Sequence, residues 1–254
     1  MKLFFKKIGE GKPLIILHGL FGLSDNWATL SKKFSEKGFC SYLVDQRNHG
    51  KSQHSENFTY ELMAEDLLEL MNDEKISTAD IIGHSMGGKT AMFFALKHTE
   101  RIRKMIVADM APKYYAPHHQ AIFAALKSID TLSLTSRKEA EEKLRNALND
   151  EATIQFLLKN LYWIDDKHLA WRFGFLEIEK NMEEIGKALP TDTLINVPVL
   201  FLRGERSGYI TKSDEVEIKR IFPLADIKTV PDAGHWIHAE NPVGFMDMVL
   251  EFLK

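Results

Sequence analysis

The stretch that decides the fold is Ile81-Ile-Gly-His-Ser-Met-Gly-Gly-Lys-Thr-Ala-Met-Phe-Phe-Ala-Leu96. The stretch opens with the apolar Ile81 and Ile82 and has a helical pattern from Lys89, so it predicts a strand, a turn and a helix. The turn contains G-x-S-x-G, and a position between a strand and a helix is the context that this pattern requires. Its serine is held in a strained backbone conformation, and the flanking Gly83 and Gly87 avoid the clash that side chains would cause. The pattern predicts that Ser85 is a nucleophile at the N-terminus of a helix, where negative charge is stabilised.

The same residues also satisfy a second pattern. Residues 83–90 read G-x-x-x-x-G-K-[ST], the phosphate-binding P-loop, again between a strand and a helix. Asp109, after the apolar residues 106–108, would then be the magnesium-binding carboxylate. A nucleotide-binding protein that uses Lys89 is therefore an alternative at this point.

Outside this stretch, short apolar runs alternate with helical patterns, which is typical of a mostly parallel sheet with helices on both faces. The strand candidates are residues 14–17, 41–44, 80–82, 105–108, 199–202 and 227–230. Between about Pro112 and Pro198 the pattern changes to helical stretches at 120–128, 137–148 and 152–161, with no clear strand pair. The sequence therefore predicts a core of residues 1–111 and 191–254, with residues 112–190 as a helical cap inserted after the strand that ends at Asp109.

Composition excludes several classes of function. The 254 residues include 33 Lys and Arg against 36 Asp and Glu, a net charge of −3, which predicts no nucleic-acid partner. Cys40 is the only cysteine, so an intrachain disulfide and a cysteine-ligated zinc site are both excluded. No apolar segment is long enough to span a bilayer or to serve as a signal peptide, so we expect no stable membrane insertion and a cytoplasmic location.

Two further segments decide between the patterns. His18-Gly-Leu-Phe-Gly22 follows the first strand, and such a turn can point the N–H of Leu20 at a carbonyl oxygen, together with the N–H of Met86. Asp232-Ala-Gly-His-Trp236 follows the last strand and places His235 at the same sheet edge. The chain order Ser85, Asp109, His235 is that of a hydrolase triad, whereas a P-loop enzyme has no role for His235.

The sequence resembles the α/β-hydrolases over essentially its whole length and is most similar to YbfF-type bacterial esterases. The segments that carry this resemblance are His18-Gly-Leu-Phe-Gly22, Asp45-Gln-Arg-Asn-His-Gly-Lys-Ser52, Gly83-His-Ser-Met-Gly-Gly-Lys89 and Gly234-His-Trp-Ile-His-Ala-Glu240. The resemblance implies an α/β-hydrolase fold with a cap, a catalytic Ser85 and a catalytic His235.

The acid needs a separate argument. Many superfamily members place it three residues after the glycine that ends the penultimate strand, which is Ser207 here, in Leu202-Arg-Gly-Glu-Arg-Ser207. Serine cannot orient an imidazole as a carboxylate does. Asp109 is the natural substitute because its strand end can approach the same histidine, and the resemblance implies this position too. Glu205 is the alternative acid.

We therefore expect a serine carboxylesterase that acts on small acyl esters or thioesters through an acyl-enzyme, with no cofactor and no metal. The expected substrate contacts are Phe21, Arg47, Trp163 and Trp236. A C–C hydrolase or a lyase would use the same constellation, and a non-catalytic small-molecule receptor on this fold also stays open. The sequence does not predict the oligomeric state.

Overall fold

A computed structural model describes residues 1–190 and 192–254. The strands are β1 (Phe4–Ile8), β2 (Lys12–Leu17), β3 (Phe39–Asp45), β4 (Ala79–His84), β5 (Ile102–Ala108), β6 (Leu161–Trp163), β7 (Leu169–Trp171), β8 (Val199–Gly204) and β9 (Ala225–Val230). The helices are α1 (Ala28–Ser35), α2 (Tyr60–Asp73), α3 (Met86–Lys97), α4 (Gln120–Lys127), α5 (Arg137–Ala147), α6 (Glu151–Leu158), α7 (Phe175–Lys180), α8 (Met182–Gly186), α9 (Asp214–Ile221), α10 (Ile237–Glu240) and α11 (Pro242–Leu253).

Seven of the strands form one sheet in the order β1-β3-β2-β4-β5-β8-β9. All neighbours pair in parallel except β1, which runs antiparallel to β3 at the edge. The predicted α/β fold with a mostly parallel sheet is confirmed, and the six predicted strands correspond to β2, β3, β4, β5, β8 and β9. Strand β1 was not predicted, because Lys6 and Lys7 interrupt its apolar run and because it is only half-buried, as edge strands often are.

Helices cover both faces of the sheet, so most successive residues of the inner strands are buried. In β2, Ile15 and Leu17 face one core with α2 and α3, while Leu14 and Ile16 face the other with α1 and α11. Burial on both faces explains why these strands read as continuous apolar runs rather than as alternating patterns. The carboxyl ends of β2, β4, β5, β8 and β9 then meet along one edge.

The segment between β5 and β8, which we call the insertion (residues 112–190), contains α4 to α8 and the antiparallel pair β6–β7. Three of its helices match the predicted stretches, but the absence of a strand pair was a wrong prediction. Each of these strands has only three residues, too few to show an alternating pattern. The predicted return to the core at residue 191 lies outside the described residues.

The two ends of the insertion lie side by side. The N–H of Leu189 donates to the carbonyl of Pro112 at 2.7 Å, and the N–H of Tyr115 donates to the carbonyl of Gly186 at 2.8 Å. The insertion therefore leaves the sheet and returns to it over the same strand ends. Among residues 1–190 and 192–254, no helix combines the length and apolarity that crossing a membrane would require.

Candidate active site

Ser85 lies in the sharp turn between β4 and α3. Its backbone has φ 52° and ψ −117°, and its N–H donates to the carbonyl of Ala108 at 3.0 Å. A Cβ on Gly83 would lie 2.3 Å from the Gly87 carbonyl oxygen, and a Cβ on Gly87 would lie 2.3 Å from that of Leu17. Such contacts are far inside van der Waals distance, so this turn requires both glycines. The strain predicted for the serine is present in the structure.

His235 lies between β9 and α10 and contacts both other members of the predicted triad. The Ser85 hydroxyl is 2.9 Å from His235 Nε2, and His235 Nδ1 is 2.7 Å from an Asp109 carboxylate oxygen. The Asp109 side chain is fully buried, whereas a quarter of the His235 side chain is exposed to the cleft. The structure thus brings these three residues, which are distant in sequence, into one hydrogen-bonded line.

Asp109 is held by neighbours on the adjacent strand. The Ser207 hydroxyl donates to the same carboxylate oxygen that faces His235, and the Gly204 N–H donates to the other oxygen at 3.1 Å. Ser207 is the position where other superfamily members carry the acid, so here it supports the acid instead. Glu205 accepts from the Asp232 N–H at 2.9 Å and is not bonded to His235. The geometry supports Asp109 over Glu205 as the acid.

The two predicted oxyanion donors lie in different elements, Leu20 in the turn after β2 and Met86 at the start of α3. Phe21 has φ 58°, and its N–H donates to His49 Nε2 at 3.1 Å. His49 Nδ1 is 2.9 Å from the Arg47 carbonyl, which can only accept, so Nδ1 carries the proton and Nε2 is free to accept. The N–H groups of Leu20 and Met86 have no hydrogen-bond partner in the described part of the chain, and both residues line the cleft.

Buried neutral imidazoles support this turn. Burial lowers the pKa of His49 to about 3 and the pKa of His18 to about 4, so both rings are uncharged at neutral pH. His18 Nδ1 contacts the Gly19 carbonyl at 2.8 Å, and its Nε2 accepts from the Gln46 N–H at 3.1 Å. His49 therefore contacts the predicted oxyanion turn directly, through the N–H of Phe21.

A cavity of about 280 Å³ opens onto Ser85. Phe21 and Trp236 line it, as expected for substrate contacts. Arg47 and Trp163 do not line it, and these two expectations were wrong. The Arg47 guanidinium is buried against Asp66, with two hydrogen bonds of 2.8 Å, and Trp163 is 44% exposed on β6. A buried arginine forms such a pair because an uncompensated charge in the interior is costly.

The sequence analysis missed an aromatic residue beside the predicted base. The ring of Tyr209 stacks on His235, with 3.8 Å between centroids and 17° between planes. Its hydroxyl is 2.9 Å from His118 Nε2, and its carbonyl accepts from the Tyr115 hydroxyl at 2.6 Å. Burial raises the pKa of Tyr209 to about 12, so the phenol stays neutral. A tyrosine in a loop after β8 has no sequence signal that would reveal this contact.

Lys89 does not have the environment of a phosphate-binding lysine. Its ammonium donates to the carbonyls of Lys113, at 2.6 Å, and Lys187, one at each end of the insertion. The side chain is completely buried, which lowers its pKa to about 7. Thr90, the other P-loop side chain, donates to the Met86 carbonyl at 3.1 Å. The geometry therefore argues against the nucleotide-binding alternative.

Comparisons with known proteins identify the family to which this chain belongs. The family model for the alpha/beta hydrolase fold matches residues 12–155. An sn-1-specific diacylglycerol lipase, ABHD11 of Danio rerio, is 38% identical over 97% of this chain and 80% of that protein. Esterase YbfF of Escherichia coli is 33% identical over 96% of this chain and 94% of that protein.

Among solved structures, one described as a marine microorganism esterase superposes with a TM-score of 0.96 at 46% sequence identity, covering 99% of both chains. These similarities extend over both the sheet and the insertion. The chain belongs to the α/β-hydrolase family, with YbfF-like esterases among its relatives.

Proposed function

We propose that this protein is a serine carboxylesterase that hydrolyses small acyl esters through an acyl-enzyme on Ser85. The observation that carries the proposal is the line of two hydrogen bonds, 2.9 Å and 2.7 Å, from Ser85 through His235 to Asp109. The names of the relatives, esterases and lipases, support a hydrolase that acts on ester substrates.

The first half-reaction forms the acyl-enzyme. The Ser85 hydroxyl gives its proton to His235 Nε2 as its oxygen bonds to the ester carbonyl carbon, and Asp109 keeps the proton on Nδ1. The carbonyl oxygen becomes an oxyanion and accepts from the N–H groups of Leu20 and Met86. Each such donor typically contributes about 3 kcal/mol. His235 then protonates the leaving oxygen, and the bond between that oxygen and the carbonyl carbon breaks.

The second half-reaction repeats these steps with water. His235 takes a proton from water, the hydroxyl oxygen attacks the acyl carbon, and the Ser85 oxygen leaves with the proton that His235 returns. Acyl thioesters would follow the same steps with a thiol as the leaving group, so they belong among the substrates to be tested. Every proton transfer uses a residue of this chain, and the proposal calls for no metal or cofactor.

The test is labelling with a fluorophosphonate, mapped by mass spectrometry, alongside turnover of p-nitrophenyl butyrate. We expect one adduct, on Ser85, and a loss of at least about 10⁴-fold in kcat in Ser85→Ala, because serine loss removes the nucleophile. Ser213→Ala changes an exposed serine outside the cavity and is the matched control.

An adduct on a different serine would overturn the assignment of Ser85. No adduct and no turnover would overturn the esterase proposal itself. If the protein is labelled on Ser85 but cleaves no ester or thioester, the C–C hydrolase, the lyase and the receptor become the functions to test, because they can retain the same serine.

A further inference from the structure

One part of the cavity wall is polar and lies directly beside Ser85. We call it the polar recess, formed by His84, His238, Trp27 and Asn26, all of which line the cavity. His84 precedes the serine in sequence. A Cβ on Gly19 would lie 2.9 Å from His84 Nδ1 and 3.2 Å from Ser85 Cβ, so the imidazole and the serine lie side by side against that glycine.

The bonding of His84 fixes which of its nitrogens carries the proton. His84 Nε2 lies 2.9 Å from the carbonyl oxygen of His235, and a carbonyl oxygen can only accept a hydrogen bond. Burial lowers the pKa of His84, so the ring is neutral and carries its one proton on Nε2. Nδ1 is therefore an acceptor, and within the described residues it has no donor.

His238 adds a second imidazole with an unpaired nitrogen. Its ring stacks on Trp27, with centroids 4.1 Å apart and planes 10° apart, and meets His84 edge-on at 4.6 Å. The side chain is nine-tenths buried, its Nδ1 is buried without a partner, and neither nitrogen is bonded to another described residue. Burial lowers its pKa to about 3, so the neutral ring offers one donor and one acceptor.

Asn26 and Trp27 supply further donors. The Asn26 Oδ1 accepts from the Leu23 N–H at 2.8 Å, while its amide N–H₂ has no partner among the described residues. The Trp27 indole N–H is likewise unpaired in that part of the chain. Leaving a buried polar atom unpaired, as His238 Nδ1 is, costs about 1–3 kcal/mol. The recess is therefore suited to a ligand group that both donates and accepts, and its neutral rings favour an uncharged one.

The location of the recess points to one half of the substrate. His235 protonates the leaving oxygen in the proposed reaction, so the alcohol moiety must lie beside that ring. His84 is in contact with His235 both through the hydrogen bond and through the rings, whose centroids are 4.9 Å apart. Much of the remaining cavity wall is apolar, including Met110, Ile122, Met182 and Ile185, and suits an alkyl acyl chain.

We propose that the polar recess binds a hydroxyl group on the alcohol moiety of the ester, close to the scissile bond. The enzyme then prefers esters of hydroxylated alcohols to esters of plain alkanols with the same number of heavy atoms. This inference rests on the proposed esterase function and adds a specificity that the triad does not supply.

The test compares 2-hydroxyethyl butyrate with propyl butyrate, which differ by a hydroxyl in place of a methyl. We expect kcat/KM to be about 5- to 10-fold higher for the hydroxylated ester, the contribution of one or two neutral hydrogen bonds. In His238→Phe, which keeps an aromatic ring on Trp27 but removes both nitrogens, the ratio should fall towards one. His238→Asn keeps a donor and an acceptor and should retain part of the preference. Because both kcat/KM values are measured with the same enzyme preparation, a general loss of active enzyme lowers them equally and leaves their ratio unchanged.

A second substrate pair identifies which half of the ester occupies the recess. In propyl 3-hydroxybutyrate the hydroxyl lies on the acyl side. The ratio of its kcat/KM to that of propyl butyrate should be the same in His238→Phe as in the wild type. If His238→Phe changes the kcat/KM ratio of the acyl pair but not that of the alcohol pair, the proposal is overturned. If His238→Phe does not fold, Asn26→Leu, at a partly exposed position, carries the same comparison.

The outcomes separate this inference from the proposed function. If p-nitrophenyl butyrate is hydrolysed but the wild-type alcohol ratio is near one, the recess proposal fails and the esterase stands. A wild-type preference that persists in both His238→Phe and Asn26→Leu would also overturn the role of the recess. If no ester is hydrolysed at all, both proposals fail together.

Discussion

The two walls of the cleft are built in different ways. On the core side, Phe21, Asn48, Ser85 and Asp109 are buried non-glycine residues with φ between 52° and 64°. Each such conformation costs about 1–3 kcal/mol and persists only where neighbours enforce it. On the other side, no non-glycine residue of the insertion has a positive φ, throughout the described positions 112–190.

The insertion is held by ordinary packing, by exposed ion pairs and, at its two ends, by the buried Lys89. Arg145 bridges Glu141 and Glu151 at the surface, linking α5 to the start of α6, and such pairs contribute about 0–1 kcal/mol each. The comparison suggests a division of labour: strained, hydrogen-bonded core turns fix the reacting groups, whereas the insertion shapes the space around the substrate. Changes in the core should appear mainly in kcat, and changes that loosen the insertion mainly in KM.

The largest effect should come from Asp109→Asn. The amide cannot hold His235 in the tautomer that accepts the serine proton, so we expect kcat for p-nitrophenyl butyrate to fall by about 10⁴-fold. The control is Glu205→Gln, which changes the alternative acid and should leave kcat within about threefold, as for other surface substitutions. Full activity in Asp109→Asn with loss in Glu205→Gln would reverse the assignment.

Acid should weaken the core through its buried imidazoles. His18, His49 and His238 have pKa values lowered by burial to about 4, about 3 and about 3. Below pH 6.5 the unfolded chain binds protons that the folded chain does not, so the free energy of unfolding falls as pH falls. We expect a loss of about 2 kcal/mol per imidazole at pH 5.

Urea unfolding at pH 7.5 and pH 5 measures this loss. The variant His49→Phe lacks one of these buried imidazoles, so its loss over the same interval should be about 2 kcal/mol smaller. Equal losses in the variant and the wild type would show that His49 does not contribute to the acid sensitivity.

The support of the oxyanion turn gives a smaller effect on rate. His49→Phe removes the acceptor for the Phe21 N–H, beside the proposed donor at Leu20. We expect kcat to fall by about 10- to 100-fold with KM little changed, since a displaced donor forfeits part of its stabilisation of the transition state. His54→Phe alters an exposed histidine and is the control. A change confined to KM would contradict the role assigned to this turn.

The smallest effect should be on the insertion side. Lys89→Met leaves the carbonyls of Lys113 and Lys187 without their shared donor, so we expect amide exchange near both ends of the insertion to accelerate by about tenfold. KM should rise while kcat stays within about threefold. Lys97→Met, at the exposed end of the same helix, is the control. A fall in kcat with unchanged exchange would contradict the division between the two walls.

Local sequence was sufficient to predict the strand, turn and helix around Ser85 and the position of His235 after the last strand of the sheet. The glycines of the turn and the chain order of the three residues can be recognised without knowledge of tertiary contacts. The strands of the sheet can be predicted from their continuous apolar runs. The pairing of Asp109 with Ser207 was not predictable, because it depends on how the ends of β5 and β8 meet. Arg47 failed as an expected substrate contact for the same reason, since its partner Asp66 lies on α2, in another element.

The Trp163 expectation failed because the hairpin turns that indole outwards, and three-residue strands carry too little pattern to reveal this. The role of Lys89 was likewise hidden, since its two acceptors are backbone carbonyls, which every residue possesses.

Because the two ends of the insertion lie side by side, the insertion can be exchanged, both in evolution and in protein engineering. Because Pro112 and Leu189 are joined by a hydrogen bond, the polypeptide between them can change in length or be replaced without pulling apart the strands that it connects. Evolution could therefore exchange one such module for another while inheriting the sheet intact. A chimaera that takes its module from a relative with a different substrate range would be expected to inherit that range as well.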